Sequence, residues 1–225
     1  MNWIVQNKFI AFAGPHFTKS ISREGCYSLT PQAFIPYFKE KNVGLVVRLN
    51  KRMYNEQDFQ KEGINHFEKF YLDGSCPTVP MLRTILHAFE QVPEDKAIAV
   101  HCKAGLGRTG TCIGAYIMKH YHFTAKEVIG WMRICRPGMV IGPQQHFLED
   151  IEKQMWYDGQ VMKMRPTREP TAWSDHNEEI DVSNIEEQAA DDQQEGHLYD
   201  QSSEAVQGRA GQADALLSAR RSRRT

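Results

Sequence analysis

The sequence predicts an α/β fold: a mostly parallel central sheet flanked by helices over residues 1–156, then a disordered tail over 157–225. Three observations carry this. Strand-like apolar runs alternate with amphipathic helical segments up to Trp156, the pattern of helices layered on a parallel sheet. One run, AIAVH (97–101), is short and almost wholly apolar, as a strand covered on both faces must be. After Trp156 the composition shifts to Asp, Glu, Gln, Ser and Ala with no helical stripe, which suits a segment unable to bury a core.

The elements follow in order. FIAFA (9–13) and GLVVRL (44–49) read as strands. Between them Thr30 can cap a helix and Pro31 suits its first position, so a helix is predicted from there to about Lys41, stopping before Asn42 and Gly44. A short helix near 55–62 is ended by Gly63. HFEKFYL (66–72), with aromatics at alternate positions, reads as a strand. PMLRTILHAF (80–89) sets Leu82, Ile85, Leu86 and Phe89 on one helical face. After AIAVH, a helix opens near Arg108–Gly110 and carries Ile113, Tyr116, Ile117 and His120 at helical spacing. Thr124-Ala125-Lys126-Glu127 matches a capping box; the helix it starts carries Val128, Ile129, Met132 and Ile134 and ends by Arg136-Pro137. A last helix follows Pro143, with Phe147, Leu148, Ile151 and Met155 on one face.

Composition narrows the function. No apolar run approaches the roughly 20 residues of a membrane-spanning helix, and the N-terminus lacks the layout of a secretory signal. The five cysteines, at 26, 76, 102, 112 and 135, are odd in number and form no CxxC pair. That disfavours a disulfide framework or a zinc site and favours a reducing compartment, nuclear or cytoplasmic. The histidines lack metal-ligand spacing, and no metal, cofactor or nucleic-acid partner is expected. The net charge of −1 divides into +5 over residues 1–156 and −6 over 157–225, so the folded part suits an anionic substrate. The tail ends in ARRSRRT, a basic cluster at Arg220–Arg224.

The chemistry concentrates in VHCKAGLGRTG (100–110). It leaves a central strand at its carboxyl end, where open α/β sheets place their sites, and enters a helix. Backbone N–H groups of such a loop point inward and the helix dipole adds positive potential, so Lys103, Ala104, Gly105, Leu106, Gly107 and Arg108 can cradle a phosphate. Gly105, Gly107 and Gly110 permit the tight turn, and Arg108 can clamp phosphate oxygens with a bidentate fork. Cys102 lies at the bottom, where the dipole and Arg108 favour its thiolate. A thiolate facing bound phosphorus can attack it and form a phosphocysteine that water then hydrolyses. Thr109 can hydrogen-bond the sulfur and ease its departure. Strand alternation points His101 away from Cys102, so His101 organises the loop rather than acting as base. Lys103 adds positive potential at the rim. A Walker loop is excluded: five places after Gly105 come Gly110-Thr111-Cys112, with no lysine.

This stretch resembles the signature of the cysteine-dependent protein tyrosine phosphatase superfamily. The resemblance implies a proton-donating aspartate on a loop some thirty residues before the cysteine. YLDGSCPTVP supplies Asp73 there, after a strand and before a helix. The Trp-Pro-Asp triplet of the tyrosine-specific branch is replaced by Tyr71-Leu72-Asp73, which points to dual specificity. In IGPQQHF (141–147) the resemblance implies that Gln144 or Gln145 orients the attacking water. The span 2–156 is similar to the catalytic half of the cell-division-cycle, mitotic-exit type of dual-specificity phosphatase, through NWIVQNKFIAFAGPH, VRLNKRMYN, DGSCPT, VHCKAGLGRTG, YIMKHY, RICRPG and VIGPQQHFLE. That implies phosphoprotein substrates, cyclin-dependent kinase targets at Ser-Pro or Thr-Pro sites, with a basic residue shortly after the proline. Family members carry a preceding, catalytically silent domain that helps to read this basic residue. The sequence starts where the second domain would, so the expectation is either a shortened member or a missing half that comes from elsewhere, a partner then covering the surface which the silent domain normally contacts. Two other readings stand beside this one. A phosphate-binding module without turnover is opposed by the presence of Cys102, Arg108 and Asp73 together. A phosphoinositide phosphatase is opposed by Leu106, which stands where lipid phosphatases of the superfamily often carry a second lysine.

Overall fold

In the computed structural model, the structure describes residues 1–21, 25 and 27–164. A five-stranded sheet forms the centre, from β1 (Asn2–Val5), β2 (Phe9–Ala13), β5 (Val43–Arg48), β6 (Asn65–Glu68) and β7 (Ala97–Cys102), in the order β1-β2-β7-β5-β6. β1 is antiparallel to β2 and all other pairings are parallel. A two-stranded hairpin, β3 (Ser20–Ile21) and β4 (Tyr27–Ser28), stands apart from it. The helices are α1 (Ile35–Glu40), α2 (Gln57–Gln60), α3 (Val79–Glu90), α4 (Gly107–Tyr121), α5 (Ala125–Cys135) and α6 (Pro143–Met164).

Period-two alternation along β7 sorts the sheet into two cores. Ile98, Val100 and Cys102 face α3–α6, packing with Leu82, Ile85 and Phe89 of α3, Ile113 and Ile117 of α4, Met132 of α5 and Leu148 of α6. Ala97 and Ala99 face the other side, with Ile10, Phe12 and Val46, under Phe34, Phe38, Tyr54 and Phe59. Every residue of β7 is buried, as its apolar run predicts. Each large apolar side chain buried here contributes about 1.5–3 kcal/mol relative to exposure, and this double cover fixes the strand whose end carries Cys102.

Helix α3 opens with Thr78 accepting from Met81 N–H and with Pro80 in its first turn. Helix α5 opens with the full capping box of Thr124 and Glu127. Other expectations are corrected. The helix predicted over 31–41 is divided into a 3-10 turn, Pro31–Ala33, and α1. Pro36 has no N–H to continue the ladder and crowds the carbonyl four residues back. Thr30 makes no side-chain capping bond. The strand predicted over 66–72 stops at Glu68, because Arg48 ends the neighbouring β5 and Lys69 N–H to Arg48 O is the final rung. Tyr71 and Leu72 instead belong to the loop between β6 and α3, with Tyr71 buried and Leu72 exposed. Ile134 is 80% exposed: it lies two residues past Met132, about 200° around the helix. The sequence reading also missed β1 and the β3–β4 hairpin. Helix α6 continues past Trp156 to Met164, with Gly159 buried. The expected tail lies almost wholly outside the described residues. No described helix is long and apolar enough to cross a membrane.

Candidate active site

Cys102 is the last residue of β7, 3% exposed, at the carboxyl end of the sheet. The chain then turns through Lys103–Leu106 into α4. What shapes this turn is where its carbonyls go. Gly14 N–H donates to Cys102 O and Lys103 O, both at 3.1 Å. Arg136 donates from Nη2 to Ala104 O and from Nε to Gly105 O, both at 2.9 Å. Gly110 N–H donates to Leu106 O at 3.0 Å. All five carbonyls from Cys102 to Leu106 are thus held by donors of the surrounding fold. Among the described residues, no backbone carbonyl accepts from the N–H groups of Ala104, Gly105, Leu106, Gly107 or Arg108. Consecutive free amides before a helix of 15 residues form an anion cradle. Gly105 makes the turn possible: its φ is +66°, and a Cβ there would lie 1.9 Å from Phe12 O.

Arg108, in the first turn of α4, is buried. Its Nη1 donates to Tyr71 O at 2.7 Å and Leu49 O at 3.2 Å. The remaining edge of the guanidinium is Nη2, 3.2 Å from Asp73 Oδ1, and Nε, which is buried without a partner. Two nearly parallel donors on one edge form the fork that suits phosphate. Tyr71 locks the arginine from a second side, donating its hydroxyl to Arg108 O at 3.2 Å, while Cys112 Sγ lies 3.4 Å from Tyr71 Oη. Since the hydroxyl proton is already committed, the thiol donates; burial pushes Cys112 up to about 12, which keeps that proton in place.

Asp73, Gly74, Cys102, Ala104, Gly107, Ile141 and Gln144 line one cleft. The aspartate and the cysteine, distant in sequence, therefore share a site. Gln144 is buried at the start of α6; its Oε1 accepts from Ile141 N–H and its Nε2 donates to Ser75 O, each at 3.1 Å. Gln145 is not brought to the cleft: its Oε1 accepts from Arg133 Nη2 at 2.7 Å. Successive helix positions diverge by about 100°, so only one of the two amides can face the cradle. Lys103 is exposed at the rim. Thr109 is buried, yet its hydroxyl makes no hydrogen bond, so the expected bond to the Cys102 sulfur is absent here. The carbonyl four residues back, that of Gly105, is occupied by Arg136.

His101 occupies the opposite sheet face. Its Nδ1 is 3.1 Å from Cys102 O and its Nε2 is 2.7 Å from Tyr54 Oη, which is 2.8 Å from His66 Nε2. A carbonyl only accepts, so Nδ1 carries the proton, Tyr54 donates to His101 Nε2, and His66 donates to Tyr54. Burial pushes His101 down to about 3 and His66 to about 4, so both remain neutral links. Arg48, wholly buried, donates to Tyr54 O at 3.0 Å, stacks over the Tyr54 ring and pairs with Glu68. Sequence reasoning missed Tyr71, Arg136, Tyr54 and His66. The one available signal was Arg136 before a proline, a charged residue at a helix end that packing forces inward. Among the described residues, no cluster of three or more His, Cys, Asp or Glu could hold a metal.

Comparison with known proteins agrees with this geometry. The family model described as "Dual specificity phosphatase, catalytic domain" matches residues 28–154. Dual specificity protein phosphatase CDC14A of Homo sapiens is 49% identical over 171 residues, covering 76% of this chain and 28% of that protein. CDC14B of Mus musculus is 42% identical over 227 residues, covering 98% of this chain and 46% of that protein. The chain thus spans less than half the length of either relative. Among solved structures, PTPMT1 superposes with a TM-score of 0.58 at 18% identity, covering 72% of this chain and 98% of that one. Tk-PTP in its active form gives 0.56 at 23%, covering 68% and 96%. These last two show the shared fold alone. With the matching family model spanning the cradle, the Asp73 loop and the first half of α6, the chain belongs to the dual specificity phosphatases and is closely related to those of the CDC14 type.

Proposed function

We propose that this chain is a cysteine-dependent dual-specificity protein phosphatase that hydrolyses phosphoserine, phosphothreonine and phosphotyrosine through a phosphocysteine. The observation that carries this reading is the cradle above Cys102: five carbonyls tied outward, and the following N–H groups left unpaired by backbone beside the Nε/Nη2 edge of Arg108.

In the first step Cys102 Sγ attacks phosphorus. The S–P bond forms as the bond from phosphorus to the leaving oxygen breaks, and protonated Asp73 gives its proton to that oxygen. The amides of residues 103–108 and the Arg108 fork stabilise the equatorial oxygens. The Asp73 carboxyl shares Arg108 Nη2 with the incoming phosphate, so substrate binding frees the aspartate to face the leaving oxygen. In the second step water attacks phosphorus and yields its proton to Asp73, the S–P bond breaks, and inorganic phosphate leaves. Gln144 orients this water. The buried Thr109 hydroxyl is a donor available to the departing thiolate. His101 holds the loop through Cys102 O, and Lys103 adds potential at the rim.

The reading extends to domains and partners. The catalytic domain runs to the end of α6 at Met164, and an acidic segment ending in an arginine cluster follows it in the sequence. The CDC14 likeness favours phosphoproteins marked at Ser-Pro or Thr-Pro, among them cyclin-dependent kinase targets, and nuclear or cytoplasmic residence. The test is hydrolysis of a chromogenic aryl phosphate and of phosphopeptides by the purified chain. Cys102→Ser is expected to abolish turnover. Asp73→Ala is expected to slow alkyl phosphates far more than aryl phosphates with good leaving groups. Turnover surviving Cys102→Ser, or equal slowing of both substrates by Asp73→Ala, would overturn the assignment.

A further inference from the structure

The loop Pro137–Gly142, joining α5 to α6, contains an unexpected backbone. Val140 has φ +57° and is 1% exposed. A β-branched residue in the left-handed region is disfavoured and persists only where its surroundings over-determine it. Two contacts do so. The Val140 side chain packs against Gly110 of α4, where a Cβ would lie 2.9 Å from Val140 Cγ2. Arg133, in the last turn of α5, donates from Nε to Met139 O at 3.1 Å and from Nη2 to Val140 O at 2.9 Å. The same Nη2 holds Gln145 Oε1 at 2.7 Å.

One guanidinium therefore fixes the carbonyls on both sides of the strained residue, and a side chain two residues into α6. The next amide in the chain, Ile141 N–H, is the one that donates to Gln144 Oε1 at 3.1 Å. Gln144 in turn meets the cradle at Gly107, where a Cβ would lie 2.7 Å from its Oε1. The peptide that Arg133 pins is thus the peptide that aims Gln144.

We infer that Arg133 is a positioning residue for the hydrolytic half of the reaction, acting through the Val140–Ile141 peptide on Gln144; the inference rests on the phosphatase reading above. Without Arg133 the peptide relaxes toward an ordinary φ, Ile141 N–H turns, and Gln144 loses its aim at the water. Formation of the phosphocysteine does not use Gln144 and is untouched.

That asymmetry gives a readout that loss of folding alone cannot mimic. With an aryl phosphate in stopped flow, Arg133→Ala is expected to lower kcat roughly ten- to a hundredfold by misaiming the amide. kcat/KM, which reports phosphocysteine formation, stays unchanged, KM falls with kcat, and a burst stoichiometric with enzyme appears. Arg133→Lys, which keeps the charge and a single donor nitrogen, recovers part of kcat and serves where the alanine variant does not fold. In a Gln144→Ala background, Arg133→Ala produces no further loss. Parallel falls in kcat and kcat/KM, unchanged kcat, or losses that multiply in the double variant would overturn the inference. A wild-type enzyme that turns over without any phosphocysteine would instead overturn the phosphocysteine route on which the inference rests.

Discussion

Gly105→Ala tests the cradle with the least change of chemistry. One methyl group is added and no charge or donor is removed. At φ +66° its Cβ would stand 1.9 Å from Phe12 O and 2.4 Å from Phe12 C. Tolerable contact begins near 3.0 Å, so about 1.1 Å of separation is required. Phe12 cannot supply it, being paired with His101 in the parallel ladder of β2 and β7 and buried against Phe34 and Phe38. The loop must move, and it moves against the two bonds from Arg136. The left-handed backbone alone costs a non-glycine residue about 1–2 kcal/mol. A displacement on the order of 1 Å in a catalytic group costs roughly a hundredfold in rate. Steady-state kinetics with an aryl phosphate, beside vanadate inhibition, should therefore show kcat/KM reduced about a hundredfold or more and vanadate binding weakened. Gly63→Ala is the matched control: its φ is +77° but nothing lies within 4 Å of the added Cβ. It should lose about 1–2 kcal/mol of stability, a few degrees in Tm, and keep full activity. If Gly105→Ala retains wild-type kcat/KM and vanadate affinity, the backbone from 103 to 108 is not the phosphate site.

Two other perturbations follow from the same geometry. Arg136→Lys keeps the charge but cannot make three directed bonds, to Ala104 O, Gly105 O and Asn2 Oδ1. Each bond from a charged donor is worth about 1.5–3 kcal/mol, so KM and the vanadate inhibition constant should rise together; a change in Tm without either would mean that the arginine only stabilises the fold. The histidine chain predicts acid sensitivity. Burial lowers His66 to about 4 and His101 to about 3, from 6.5. Below about 6.5 the unfolded chain takes up protons that the folded chain refuses. Stability is therefore full above that pH and falls as pH drops, by on the order of 1.4 kcal/mol per pH unit for each histidine until its folded value is reached. Urea melts at pH 7 and pH 5 should show this fall, and His66→Phe should reduce its slope; an unchanged midpoint between the two pH values would refute the neutral chain.

The sequence was most legible where spacing alone dictates structure. The buried strand β7, the capped helix α5 and the glycine-rich turn after Cys102 follow from local periodicity and capping chemistry. It was less legible where one element ends because another does. β6 stops at Glu68 since its partner stops at Arg48, and no residue within 66–72 announces that. The site divides in the same way. Cys102, Arg108 and Asp73 stand out as residue types that phosphate chemistry requires. Tyr71, Arg136, Tyr54 and Arg133 act through backbone carbonyls or a shared hydroxyl, contacts that exist only once the chain has folded. The choice between Gln144 and Gln145 needed the helix rotation that the loop before α6 sets.

The central claim is that phosphate passes through Cys102. Rapid acid quench of the Gln144→Ala variant during turnover of an aryl phosphate, followed by peptide mapping, tests it most directly, because slowing hydrolysis lets the intermediate accumulate. The account predicts phosphate on the peptide containing Cys102, near stoichiometric with enzyme, and none in the Cys102→Ser variant. Turnover with no phosphate on Cys102, or with phosphate on another residue, would contradict it.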